Sequence, residues 1–394
     1  MPFMETERSD QKSTYRWVVL GVSLFAFVAY AFAFQSFPPL IPSVKVEFHV
    51  SSDAIIALAM SVVLIPGILL SLPAGFLLGK YGVRTVGTLS LLGVVLGSVV
   101  STFANSFSML LIGRFILGLG GSFVITTTST LIAQWFSRED LGKAMGLFGI
   151  NMPLATVIAL PTSSLLSTSF GWRFPFHISS VVGVVSMIFF LTMVKAGPLT
   201  SQKKKGPARR ALLNREIWKV GFAWLFFNAV ALSFTTWAPT LFEEFRGIPR
   251  VQASFLASLL MWAALFCVPI YGYLSDRTGR RKPFALLGFI LMACALVLTG
   301  LSSGLILVAS VLLLGISAAM VPAIMSTLPP QILGPALASI GFGITSTCMN
   351  IGAAVAQPSI GLMKDLTQSY APCFLAMVVF AAAGIAMAYT LRIR

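Results

Sequence analysis

The sequence predicts an all-α membrane protein of twelve transmembrane helices, arranged as two six-helix pseudo-symmetric bundles. Three observations predict it: the shortage of charge, twelve separable apolar runs, and a repeat between the two halves. Hydrophobic residues make up 57% of the 394, and charged residues only 10%. The mean hydropathy is +0.91. A soluble domain carries roughly a quarter charged residues, because its surface faces water. Here the missing solvent is lipid. A bilayer core of about 30 Å takes about 20 apolar residues per helix, so twelve spans use about 240 to 280 of them and leave little room for a soluble domain.

The spans fall at 17–41, 54–78, 85–104, 108–134, 143–165, 174–195, 219–240, 252–274, 284–302, 305–327, 336–362 and 371–391. Polar residues Met1 to Arg16 precede the first, and their mixed charge does not resemble a cleavable signal peptide. The second ends in a stripe of small residues, Gly67, Ser71, Gly75 and Gly79, whose spacing of four puts them on one face for close helix contact. The fourth contains Arg114, the only charge inside any span other than at a span's end residue, and the fifth contains Pro153 and Pro161. The stretch after the sixth holds Lys203–Lys205, Arg209 and Arg210 and divides the chain nearly in half. The expected organisation is an N-terminal bundle at 1–195, a linker at 196–218 and a C-terminal bundle at 219–394. Prolines in the later spans (Pro322, Pro329, Pro330 and Pro358) mark places for a helix to bend.

The formal charge of +15 does not imply nucleic acid, because topology accounts for it. With the N-terminus inside, 21 of the 27 Lys and Arg fall on the inner side and five (Lys45, Arg173, Arg246, Arg250, Lys364) on the outer. That bias predicts a multi-pass protein of the inner or plasma membrane with both termini cytoplasmic. The four cysteines lie in apolar runs without histidine neighbours, so neither a disulfide frame nor a metal site is expected. No cofactor is implied, and the expected state is a monomer in the bilayer.

The repeat is visible at a fixed offset. Gly75, Gly79, Lys80, Gly82 and Arg84 end the second span, and Gly272, Asp276, Arg277, Gly279, Arg280 and Arg281 end the eighth, 197 positions later. The same shift relates Gly118 to Gly315 and Pro161 to Pro358. With twelve spans and a basic central loop, these residues resemble the major facilitator superfamily over essentially the whole chain. The second copy is close to the family's loop signature; in the first, Gly79 stands where the family usually has aspartate. The resemblance implies that Asp276 helps latch the halves in an outward-open state. Gly82 and Gly279 suit tight turns at the membrane surface.

Arg114-Phe-Ile-Leu-Gly118-Leu-Gly120 resembles the family's fourth-helix motif. An arginine within a span costs a few kcal/mol unless it has partners or faces a wet cavity. Two readings stay open: it bonds backbone carbonyls of a neighbouring helix, or it attracts an anionic solute. All twelve carboxylates fall in loops or at helix edges, so a midplane proton relay is not expected. Mid-span polar and aromatic residues complete the candidate lining: Tyr30, Gln35, Asn151, Asn228, Trp262 and Asn350, with Arg114. Near Pro153 the family's antiporter pattern of Gly-Pro and a later glycine pair is missing.

The resulting expectation is a non-enzymatic secondary active or facilitative transporter working by alternating access, as uniporter, exchanger or symporter. Its substrate is expected to be a small organic or inorganic anion, monocarboxylate- or cyanate-like. Export of amphipathic drug-like molecules is the alternative, and a receptor that has lost transport is a third reading. No nucleotide loop or catalytic constellation is present.

Overall fold

The structure is a computed structural model that describes residues 2–71, 73–137, 140–195, 208–334 and 337–392, without side chains for 2–13 and a few others. The first half comprises α1 (Pro2–Gln35), a 3-10 turn (Pro38–Leu40), α2 (Ile41–Glu47), α3 (Asp53–Leu70), α4 (Ala74–Tyr81), α5 (Val83–Thr102), α6 (Phe107–Trp135), α7 (Leu141–Phe148), α8 (Asn151–Phe170) and α9 (Phe174–Met193). A short α10 (Ala208–Leu212) precedes the second half. That half comprises α11 (Arg215–Arg246), α12 (Arg250–Thr278), α13 (Arg281–Leu301), α14 (Gly304–Met325), α15 (Leu328–Leu333), α16 (Ala338–Thr367) and α17 (Tyr370–Thr390). Eleven helices or helix pairs among the described residues are long and apolar enough to cross a membrane. The 30-residue α16 runs beside them and completes the twelve.

Four predicted spans are interrupted, and proline accounts for each break. The first span stops being α-helical at Gln35, because Pro38 and Pro39 cannot supply the next ladder hydrogens. Pro73 separates α3 from α4. Pro153 lies in the first turn of α8, just after the turn at Gly149–Ile150, where its missing N–H costs nothing. Pro329 and Pro330 sit at the start of α15 for the same reason, so the tenth span breaks after Met325.

The two halves share one register. Corresponding helices from the second span onward start 196 to 198 residues apart: Asp53 with Arg250, Val83 with Arg281, Phe107 with Gly304, Leu141 with Ala338, and Phe174 with Tyr370. The packing repeats with them. A Cβ on Gly118 would lie 2.1 Å from the Val63 carbonyl oxygen, and one on Gly315 would lie 2.4 Å from that of Leu260. Val63 and Leu260 are themselves 197 residues apart. In lipid there is little hydrophobic force between helices, so this backbone-to-backbone approach supplies the dispersion contact that holds them together.

Of the predicted small-residue stripe, Gly67 and Ser71 do pack α3 against α16. The Asn350 amide would be 2.7 Å from a Cβ on Gly67, whereas Gly79 has nothing within 4 Å. Gly82 (φ +78°) and Gly279 (φ +64°) both adopt the left-handed backbone that a turn at the membrane surface needs. Arg84 donates to the Leu191 carbonyl at 2.6 Å, Lys80 sits over the Tyr81 ring, and Arg281 bonds Gln331. Arg277 is exposed and Gly272 has open space around it. The surroundings of Gly75 and the side chain of Asp276 lie outside the described set, and so do linker residues 196–207. The four cysteines are free thiols, two buried (Cys348, Cys373), one half-buried (Cys267) and one exposed (Cys294).

Candidate functional site: a polar cavity between the halves

A small cleft, partly open to solvent, lies between α1, α3, α6 and α16. Tyr30, Ser71, Ser122, Thr126, Ser346 and Asn350 give it a polar lining, and Val63, Gly67 and Ile125 complete the wall. The first-half helices supply most of these groups and α16 supplies Ser346 and Asn350. Several of the hydroxyls are turned back onto their own helices: Ser122 onto the Gly118 carbonyl at 2.8 Å, and Ser71 onto that of Gly67. Asn350 Nδ2 donates to the Ser346 carbonyl at 3.0 Å, which leaves its second N–H and its Oδ1 for a ligand. The Tyr30 hydroxyl makes no hydrogen bond to a described residue. Its ring is held in place by stacking on Phe34, with centroids 6.4 Å apart, and by Gly121, where a Cβ would collide with the ring.

Arg114 stands behind this wall. It is 0% exposed. Nε donates to the Ala59 carbonyl, Nη1 to that of Ala33 and Nη2 to that of Phe34, each at 2.9 Å. Its guanidinium also lies 5.8 Å from the Phe34 ring and 5.3 Å from that of Phe37. Ala33 and Phe34 are in the last turn of α1, whose carbonyls have no intrahelical partner, and Pro38 has no N–H to offer Phe34. Arg114 therefore caps α1 from a neighbouring helix, in a place water does not reach, and its charge suits the negative end of the helix dipole. Of the two readings in the sequence, the carbonyl-bonding one describes this geometry. None of its hydrogen-bond partners is a carboxylate, so the charge remains uncompensated one helical turn from Tyr30.

The other candidates sit elsewhere. Gln35 is buried and donates Nε2 to Thr156 Oγ1 at 3.0 Å, tying α1 to α8, while its Oε1 has no partner. Asn151, the first residue of α8, accepts from the Met152 amide through its side-chain oxygen. Asn228 bonds the Trp224 carbonyl of its own helix at 3.1 Å. Trp262 is 36% exposed and stacks on Phe266, itself 62% exposed, along an outer stripe of α12. None of these four lines the cavity, whereas Tyr30 and Asn350 do, one from each half. Ser71 and Ser346 are cavity residues that the sequence reading did not single out as lining. Ser71 was read as a packing residue, and serine in a small-residue stripe carries no signal of its own for a ligand.

The sequence pattern described as the Major Facilitator Superfamily matches residues 23–357 and, in a second alignment, 242–394. The chain belongs to that superfamily. A probable nitrate/nitrite antiporter of Thermus thermophilus is 27% identical over 310 residues, covering 74% of this chain and 67% of that one. A quinolone resistance transporter of Acinetobacter baumannii is 24% identical over 370 residues, covering 86% and 85%. Among solved structures, a bacterial homologue of the human lysosomal transporter Spinster superposes with a TM-score of 0.79 over 96% of this chain and 97% of that one, at 15% identity, which bears on the fold. As a major facilitator protein the chain is a multi-pass membrane transporter of small-molecule solutes and not an enzyme.

Proposed function

We propose that this transporter carries a small organic or inorganic anion by alternating access, with both termini in the cytoplasm. The observation that supports it is the buried Arg114 charge, held by three carbonyls and no carboxylate behind a cavity wall of hydroxyls and one amide. An anion within about 10 Å of that charge gains on the order of 1–2 kcal/mol at an effective dielectric near 20, and a cation loses as much. The lining then orients the anion through the Tyr30 hydroxyl and the Asn350 amide, while Arg114 sets the potential and holds α1 in position. A nitrate/nitrite relative agrees with this solute class. The outer-side deficit of Lys and Arg supports the orientation.

A thermal-shift screen of the purified protein against nitrate, cyanate, small carboxylates, sugars, amino acids and quinolones tests the class. A ligand present at about 100 times its Kd adds about 2.7 kcal/mol of apparent stability, which is a readable rise in Tm. Small anions are expected to produce it. Stabilisation by quinolones alone would instead favour drug export, the reading that the Acinetobacter relative raises. Asn350→Leu is expected to raise KM for the transported anion about 5- to 10-fold, the size of one lost hydrogen bond of about 1 kcal/mol, with normal insertion. An unaltered KM would reduce Asn350 to packing against Gly67.

A further inference from the structure

The ends of the two halves furthest from the termini are fastened together by charge. Lys364 and Asp365, adjacent near the end of α16, both reach the first turn of α3. Asp365 accepts from the Asp53 amide at 2.7 Å, the Ala54 amide at 3.0 Å and the Ser52 hydroxyl at 2.6 Å. An amino-terminal cap normally comes from the helix's own flanking residue. Ser52 provides one such bond here, to the Ile55 amide, and the opposite half provides the others. Lys364, only 5% exposed, places its ammonium 3.3 Å from Asp53 and 2.5 Å from Glu244, and 5.8 Å from the Trp237 ring centroid. The other Asp53 oxygen is held by Lys45 at 2.7 Å. One turn earlier on α16, Gly361 lies so close that a Cβ would be 2.5 Å from the Asp53 carbonyl oxygen. Arg250 adds a second tie, donating to the Ser43 hydroxyl at 2.9 Å.

This arrangement divides cleanly. Lys45 and Asp53 belong to the first half and form a pair by themselves; Lys364 and Glu244 belong to the second and do the same. If the halves part, each keeps a paired charge, and only the Asp365 cap and the Lys364–Asp53 pair are given up. A permanent structural tie would strand an unpaired buried charge when broken, whereas this one releases without doing so. At the other end of α3 and α16, Ser71 and Ser346 stand 3.5 Å apart, and the turn at Gly79–Gly82 beyond them is exposed.

We propose that Lys364 and Asp365 form a two-pronged latch on the first turn of α3, which holds the side away from the termini shut and is released each time the carrier opens there. The latch depends on the two-half transporter fold and not on which solute is carried. Its strength sets how much of the population rests closed on that side.

The test uses Ser61, whose hydroxyl donates to the Ala354 carbonyl at 2.7 Å, inward of the latch between α3 and α16. In a full-length variant with Cys267, Cys294, Cys348 and Cys373 replaced by serine, Ser61→Cys is labelled in intact cells with a membrane-impermeant maleimide. Labelling from the side opposite the termini is expected to be slow. Adding Asp365→Asn, which keeps the size but removes the charge, is expected to speed it at least about 10-fold. Asp365→Glu is expected to stay nearer the parent. Should Asp365→Asn not accumulate, Ser52→Ala removes one of the three donors and is expected to speed labelling about 3-fold. Faster labelling in well-folded variants supports the latch, and a rate equal to the parent in either of them overturns it. Uptake of the anion is not part of the readout, so the latch and the solute reading stand or fall separately.

Discussion

Arg114→Leu is expected to abolish transport and to lower the Tm of the purified protein by several degrees. The substitution removes three donors, two of them from the Ala33 and Phe34 carbonyls at the end of α1, which have no intrahelical partner, and one from the Ala59 carbonyl inside α3. A buried acceptor left unpaired costs about 1–3 kcal/mol. Losing the charge removes its own desolvation penalty, so the net loss is smaller than the sum of the three. The end of α1 then loosens, and Tyr30, one turn back and stacked on Phe34, loses its fixed position at the cavity. The positive potential at the wall disappears as well. Arg114→Lys separates these effects, because it keeps the charge but offers a compact ammonium to a site built for a planar fork. It is expected to bind the anion weakly and transport slowly, with a Tm between parent and Arg114→Leu. Uptake into proteoliposomes and the unfolding midpoint measure both. Parent-like uptake by Arg114→Leu would remove the guanidinium from the mechanism.

Gly118→Val and Gly315→Val are expected to have the largest effect on folding. A side chain at either position meets a backbone carbonyl, at 2.1 Å from Val63 or 2.4 Å from Leu260, and not the movable end of another side chain. Overpacking a core costs about 1–3 kcal/mol where side chains can adjust. Backbone on both sides leaves little to adjust, so a loss beyond about 3 kcal/mol is expected, with most of the protein aggregated on size-exclusion chromatography. Gly79→Ala is the matched control. It lies in α4 with nothing within 4 Å, and replacing a helical glycine there is expected to add about 0.5–1 kcal/mol. A monodisperse Gly118→Val with the parent's Tm would contradict the packing argument.

Much of the architecture was legible in the sequence because lipid imposes a simple pattern. Spans are read from hydropathy, and the repeat from glycines and prolines whose roles are steric. The breaks within spans were legible only as prolines, since a proline at a helix start and one inside a helix look alike until the neighbouring turn is seen. The cavity was half legible. Depth along a helix is countable, but the face a residue presents depends on the helix's rotation, which a uniformly apolar span does not reveal. Tyr30 and Asn350 face the cavity; Asn228, at similar depth, turns onto its own helix, and Trp262 faces outward. Asp53 is a helix-edge carboxylate, yet it is 4% exposed, because Gly361 and Lys364, over 300 positions away in the chain, close over it beside its neighbour Lys45.

The shared register has a consequence for how the two halves came to differ. Positions whose job is to let backbones touch are the same in both: Gly118 and Gly315, Val63 and Leu260. Positions whose job is chemistry are not. At the same offset the counterpart of Arg114 is Val311, that of Thr126 is Ala323, and that of Asn350 is Pro153. The two halves share one frame, and at each of these places only one of the paired positions is polar. A solute entering the gap therefore touches two surfaces related by geometry but not by character, and it has one preferred way round. Exchanging residues between such paired positions, such as Thr126 for the alanine of its counterpart, is expected to change specificity with little disturbance to the frame.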